Sequence, residues 1–253
     1  MFKTFVSKVF NSFGLQVSRV SSKYRDALLY EDDNFFNELY DRGMRITQTP
    51  DSGHKRKARF YNLVQFYQYI HKLDGKTAEC GCWKGLSSLL VCSYEKKINP
   101  TYRGQLHEIY DSFEGLSVPA LNDTINNKVL ASSMGKCGGE LGDFSENLSN
   151  VQNSLKEFPG VNYNKGWIPD VFELVVANDC VYKFVHIDVD LYEPTLGSFE
   201  YFYPKLVTGG IIICDDYGSL RWPGAKKAVE EYCNENKIDF IALSTGQAVV
   251  IKK

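Results

Sequence analysis

Two acidic groups stand out by residue type and by spacing. The stretch Phe184-Val185-His186-Ile187-Asp188-Val189-Asp190-Leu191-Tyr192-Glu193-Pro194 is followed, 27 residues after Asp188, by Asp215-Asp216-Tyr217-Gly218. Each terminates an apolar run with strand character, Lys183–Asp188 and Gly210–Cys214. Period-two geometry puts His186, Asp188 and Asp190 on one side if the first strand persists that far. Strands joined by one right-handed crossover are usually neighbours, so the two acidic groups should meet at one sheet edge. Four carboxylates so placed raise each other's pKa and destabilise the fold unless a cation neutralises them. Oxygen-only ligands with room for water and substrate point to Mg²⁺ before zinc. The competing reading makes one or two of the aspartates helix N-caps, with Glu193-Pro194 and Gly218 opening the next helices. It accounts for some of the four and poorly for all. If the ion activates a hydroxyl, Asp188 is the first choice of general base and Asp190 the second, because a carboxylate on the metal lies nearest the activated oxygen. His186 reads as a packed strand residue.

A second constellation follows the strand Lys76–Cys80: Glu79-Cys80-Gly81-Cys82-Trp83-Lys84-Gly85-Leu86-Ser87-Ser88. Ligand crevices of open α/β sheets lie beyond such carboxyl ends. The spacing is not the dinucleotide pattern G-x-G-x-x-G, and no phosphate-cradling lysine-serine pair follows. A glutamate there suits a ligand with an ammonium group and repels pyrophosphate, which favours S-adenosylmethionine over a nucleotide. A plain strand-to-helix turn would explain the glycines alone. The next strand ends in Tyr110-Asp111-Ser112-Phe113-Glu114-Gly115, where Asp111 either accepts ribose hydroxyls or caps the following segment.

These groups must be positioned by a sheet. Apolar runs at Lys76–Cys80, Gln105–Tyr110, Lys183–Asp188, Gly210–Cys214, Asp239–Leu243 and Ala248–Lys252, with one near Val161–Lys165, alternate with helical segments. That is the βαβ signature of a sheet covered on both faces. The last two runs, joined by Ser244-Thr245-Gly246-Gln247, should form an antiparallel hairpin. The expected fold is α/β: a doubly wound, mostly parallel seven-stranded Rossmann-like sheet with that hairpin at its end. A helical extension or lid is expected over residues 1–60, and the catalytic domain over 61–253. Phe2, Phe5, Val6, Val9, Phe10 and Phe13 recur at helical spacing. That stripe either docks on the domain or a second subunit, or anchors residues 1–20 peripherally on a membrane. The basic run His54-Lys55-Arg56-Lys57-Ala58-Arg59 belongs to a mobile lid or to a solvated helix start.

Composition narrows the partners. A net charge of −2 and a pI near 6.1 give no electrostatic reason to expect nucleic acid. Seven cysteines, mostly within apolar runs, read as reduced buried thiols, and Cys80 and Cys82 lack a second pair at zinc spacing. No apolar stretch reaches the roughly 18 residues of a membrane span, and Lys8, Asn11 and Ser12 interrupt any signal-peptide core. A cytoplasmic location is expected, with membrane contact only at the periphery.

Taken in order, Glu79–Gly85, Asp111–Gly115, Lys165-Gly166-Trp167, His186–Glu193 and Asp215–Gly218 resemble the motifs of the macrocin O-methyltransferase family of macrolide biosynthesis, across roughly Lys76 to Tyr232. The resemblance implies a class I methyltransferase that methylates hydroxyls of sugar-bearing natural products. It implies Mg²⁺ on Asp188, Asp215 and Asp216, and S-adenosylmethionine on Glu79, Gly81, Asp111 and Ser112. Cys82, Trp83, Gly85, Ser87, Phe113, Gly166 and Trp167, from the same loops, complete the expected cofactor set. Homo-oligomers are implied too. The first 60 residues or so carry little of the family pattern, and Leu191 stands where the wider catechol-type enzymes place a lysine. The acceptor is expected to be a hydroxylated, sugar-like small molecule; transfer to an amino-sugar nitrogen and a non-catalytic scaffold are the alternatives.

Overall fold

A computed structural model describes residues 30–51, 53–124, 140–175 and 180–253. The helix expected over residues 2–13 lies outside them. The described elements are α1 (Asn34–Thr47), α2 (His54–Ile70), β1 (Lys76–Cys80), α3 (Leu86–Ile98), β2 (His107–Asp111), α4 (Leu148–Ser154), β3 (Asn162–Lys165), α5 (Val171–Leu174), β4 (Tyr182–Ile187), α6 (Tyr192–Phe202), β5 (Leu206–Cys214), α7 (Pro223–Asn236), β6 (Phe240–Ala242) and β7 (Ala248–Ile251).

The seven strands form one sheet in the order β3-β2-β1-β4-β5-β7-β6. The first five are parallel, and β7 pairs antiparallel with both β5 and β6, as the hairpin expectation required. Sequence order reverses between β1 and β4, which makes that seam the switch point at which doubly wound sheets open a ligand crevice.

Strand residues alternate between two cores. Val185, Ile187, Ile212 and Cys214 face α6 and α7 through Phe199, Phe202, Val229 and Tyr232. Phe184, Ile211 and Ile213 face the opposite layer, built on Leu63, Val64 and Tyr67 of α2 and Leu90 and Val91 of α3. With both faces covered, β4 is buried along its whole length, which is why it reads as a nearly continuous apolar run. The basic run opens α2: His54 and Lys55 are exposed, as a solvated helix start requires, while Arg56 and Arg59 turn to the crevice and Lys57 lies over the Tyr40 ring. The boundary expected at residue 60 falls inside this unbroken helix, whose apolar face belongs to the sheet's own core.

β1 and β4 meet tightly where the crevice begins. The Asp188 N–H donates to the Cys80 carbonyl at 2.9 Å. Gly81 turns the chain away with φ +77°, and a Cβ there would lie 2.0 Å from the Asp188 carbonyl oxygen. Gly53 has a similar φ of +83° but open space around it. Gly81→Ala should therefore lower unfolding stability by about 3 kcal/mol or more, against about 1 kcal/mol for Gly53→Ala. Urea titrations of the two variants check this; equal losses would contradict the close approach.

Candidate active site

The β1–β4 crevice opens into a cavity of about 310 Å³, within the size range of small-molecule sites. Of the expected cofactor residues, Gly81, Cys82, Trp83, Ser87, Asp111, Ser112 and Trp167 line it. Asp111 accepts the Cys82 N–H at 2.7 Å on one oxygen and the Phe113 N–H at 2.7 Å on the other. It thus performs the capping role, while each oxygen keeps a lone pair for a ligand hydroxyl.

Four expected cofactor residues are not among the lining side chains, and each has a physical reason. Both oxygens of Glu79 are occupied by Ser87 and Ser88 hydroxyls, and Oε1 also by His186 Nδ1 at 3.0 Å. The carboxylate sits one layer behind the cavity wall, 1% exposed. Gly85 starts α3 and faces Val151 and Leu155. Phe113 packs in the small core with Cys82, Val151 and Phe158. Gly166 backs onto Val171, and its N–H donates to the Asp111 carbonyl at 2.9 Å.

The acidic residues do converge. Ile187 pairs with Cys214 across β4 and β5, and the Asp215 N–H donates to the Ile187 carbonyl at 2.8 Å. β4 ends at Ile187, short of Asp190. Asp190 comes back to the cluster through a left-handed backbone, φ +60°, and its N–H donates to Asp216 Oδ2 at 3.2 Å. A non-glycine residue in that conformation is held there by its surroundings, and such residues concentrate at functional sites.

Two protein cations offset part of the charge. Arg59, reaching inward from α2, forms an ion pair with Asp215 Oδ2, donates to the Asp215 carbonyl at 2.5 Å and lies 3.5 Å from Asp216 Oδ1. His186 stands between Glu79 and Asp215, its Nε2 3.6 Å from Asp215 Oδ1, an ion-pair separation. Burial alone would lower the His186 pKa, but Asp215 and Glu79 outweigh it and raise the value to about 10. Burial would raise Asp215, but Arg59 and His186 hold it at about 2. Gln247 completes the shell, donating to Asp215 Oδ1 at 2.8 Å and to the Arg59 carbonyl at 3.2 Å.

Asp188 and Asp190 have no cation at ion-pair distance among the described residues, and Asp216 has only the outlying contact with Arg59 at 3.5 Å. Burial first, and neighbouring carboxylates second, push Asp188 and Asp190 well above the usual carboxylate range. Asp216 is also raised, by burial against the opposing pull of Arg59. One oxygen from each of Asp188, Asp190 and Asp216 lies within 4.8 Å of the others. Ligands on one Mg²⁺, about 2.1 Å from each oxygen, stand up to about 4.2 Å apart, so a small closure suffices. The second grouping, His186, Asp188 and Asp215, is poorer because a protonated imidazole has no lone pair to offer. A hard divalent cation therefore fits the donor set, with Asp190 in the third position and Asp215 engaged by Arg59.

Three contributors were not legible as such in the sequence. Arg59 belonged to a run read as solvated, His186 was read as packing, and Gln247 was only a turn residue. Spacing gave no signal for Arg59 or Gln247. His186 had one, its place two residues before Asp188.

Comparison with known proteins bears on what this cavity does. The sequence model of the macrocin O-methyltransferase family matches residues 34–245. The chain is 24% identical over 214 residues to demethyldecarbamoylnovobiocin O-methyltransferase of Streptomyces niveus, covering 83% of this chain and 78% of that enzyme. It is 25% identical over 172 residues to mycinamicin III 3''-O-methyltransferase of Micromonospora griseorubida, covering 66% of this chain and 63% of that one. Among solved structures, the O-methyltransferase NovP matches with TM-score 0.62 at 20% identity, over 77% of this chain and 79% of its own. A calicheamicin methyltransferase matches with TM-score 0.63 at 16% identity, over 92% and 99%. At those identities the structural likeness speaks for the fold.

The His186 pairing carries a pH signature. Its folded-state pKa lies above the ordinary 6.5, so the stability it contributes is complete below pH 6.5 and is lost as pH rises towards 10. In chelator, the melting-temperature gap between the native chain and His186→Gln should be widest at the acid end of that window and shrink across it. A gap independent of pH would show that the imidazole is neutral.

Proposed function

This chain belongs to the macrocin O-methyltransferase family, and from that premise we propose that it transfers the methyl group of S-adenosylmethionine to a hydroxyl of a sugar or glycosylated small molecule, assisted by Mg²⁺. The observation that carries the reading is the trio Asp188, Asp190 and Asp216, short of positive charge and lining the same cavity as the β1 and β2 loops. The named substrates of its relatives, novobiocin and mycinamicin precursors, support a sugar-bearing acceptor.

On this reading Asp188 and Asp216 hold the ion, with Asp190 or Asp215 as a third ligand. Bound there, a divalent cation supplies Lewis acidity that lowers the pKa of an acceptor hydroxyl. Asp188, the carboxylate that would lie nearest the activated oxygen, takes the hydroxyl proton, with Asp190 the second choice. The acceptor oxygen forms its bond to the methyl carbon as the carbon–sulfur bond breaks, and S-adenosylhomocysteine leaves. Asp111 takes the ribose hydroxyls through its remaining lone pairs, while Gly81 and Cys82 bring the backbone close to the donor. Alignment of two bound partners supplies much of the rate. Family membership sets aside the scaffold reading; transfer to an amino-sugar nitrogen needs less help from a cation, so chelator sensitivity separates it.

We place the reaction in the cytoplasm and in a homo-oligomer. Support comes from the family resemblance and from the six described cysteines, all free and five of them buried. Among the described residues no helix is long and apolar enough to cross a membrane. Docking or membrane anchoring by residues 1–20 remains part of the proposal.

Asp188→Asn and Asp216→Asn should each lower methyl transfer at least about 10³-fold while S-adenosylhomocysteine affinity changes less than about threefold. Excess chelator should abolish turnover in the native chain and Mg²⁺ restore it. Full activity in chelator would remove the ion from the account, and failure to bind S-adenosylhomocysteine would remove the donor.

A further inference from the structure

Five cavity-lining residues from four separate segments form one continuous run. The Arg56 guanidinium lies 5.5 Å from the Trp83 ring centroid. Trp83 meets Phe144 edge to face at 5.6 Å, and Phe144 meets Trp222 at 6.4 Å. The Arg221 guanidinium closes the run, 5.7 Å from the Trp222 centroid. Among the described residues no carboxylate lies within ion-pair distance of either guanidinium. Arg56 donates to the Pro50 carbonyl at 3.0 Å, and Arg221 Nε is buried without a hydrogen-bond partner. A buried donor left unmade is costly unless a ligand completes it.

The two arginines are not equivalent. Arg56 sits over Trp83, in the loop proposed to hold the methyl donor, so the donor's own carboxylate is its natural anion. Arg221 stands at the opposite end of the aromatic wall and needs a different one.

We propose that the acceptor is an anionic sugar, one carrying a phosphate or pyrophosphate ester, and that Arg221 with the Trp83–Phe144–Trp222 wall forms the subsite for that group. The inference rests on the methyl-transfer reading of the same cavity. A guanidinium fork matches phosphate oxygens bidentately, and the wall offers apolar faces for a sugar ring or a nucleobase. The sugar's free hydroxyl then lies towards the aspartates while its ester is held away from them.

The test is equilibrium binding to the protein loaded with S-adenosylhomocysteine and Mg²⁺, read by calorimetry and by tryptophan fluorescence. The probes are uridine diphosphate, inorganic pyrophosphate and methyl glucoside. Uridine diphosphate and pyrophosphate should bind in the sub-millimolar to millimolar range, Arg221→Gln should weaken both about tenfold or more, and Arg221→Lys should recover part of the loss. Tighter binding of uridine diphosphate than of pyrophosphate identifies a nucleotide-activated sugar; equal binding identifies another pyrophosphate ester. Affinity for S-adenosylhomocysteine should be unchanged in both Arg221 variants, which also reports that they fold. Failure of both anions to bind overturns the proposal, as does binding that Asp216→Asn removes but Arg221→Gln leaves intact, since the anion would then sit on the metal. A failure of S-adenosylhomocysteine itself to bind is a separate result and counts against the methyl-transfer reading.

Discussion

Mutual repulsion among Asp188, Asp190, Asp215 and Asp216 is the constraint around which the catalytic end of this sheet is organised. Two unit charges about 4 Å apart repel by roughly 4 kcal/mol at the effective dielectric of a protein site, so four cannot be left to themselves. Asp215 is relieved by Arg59, His186 and Gln247, each contributed by a different element. Glu79, buried behind the cavity, keeps His186 charged and thereby reaches Asp215 through it. The relief stops there. Burial and mutual repulsion raise Asp188, Asp190 and Asp216 above the ordinary carboxylate range, and Asp190 joins the other two only because its backbone is held left-handed. That remainder is what the proposed divalent ion would neutralise, on the wall of the cavity that the β1 and β2 loops also line.

Topology makes the arrangement possible. Parallel strands β1, β4 and β5 end at one edge, and the reversal of order between β1 and β4 keeps the helices from closing over it. The loops proposed to hold the donor leave from β1 and β2, and the acids leave from β4 and β5. α2 bridges the halves. Its inner face packs on the sheet through Leu63, Val64 and Tyr67, while Arg59 reaches the cluster and Asn62 donates to Gln247 and Thr245 of the hairpin turn. The aromatic wall from Trp83 to Trp222 closes another side, so the acids work in a partly enclosed space where electrostatic effects are strong.

The sheet was legible because its strands are short apolar runs at βαβ spacing, and the seven expected strands match the seven observed to within a few residues. The meeting of Asp188 with Asp215 and Asp216 was legible for the same reason, since neighbouring parallel strands deliver their carboxyl ends to one place. The charge compensation was not. Nothing in the spacing of His54–Arg59 marks Arg56 and Arg59 as the residues that line the cavity while Lys55 stays in water, because that depends on where α2 lies against the sheet. Glu79, expected against the donor, lies behind the cavity wall because Ser87, Ser88 and His186 take its oxygens, and nothing in its place on β1 marks those partners. Asp190 shares the side of Asp188 only if the strand persists that far; β4 ends at Ile187, and the turn into α6 is what returns Asp190 to the cluster.

Calorimetric titration of Mg²⁺ into the protein loaded with S-adenosylhomocysteine, repeated in buffers of different ionisation enthalpy, tests the central claim most directly. One ion should bind per chain, with protons released from the raised carboxyls Asp188, Asp190 and Asp216, and both signals should be lost in Asp216→Asn. Absence of binding to the native chain, or binding with no proton released and unchanged in the variant, would contradict it.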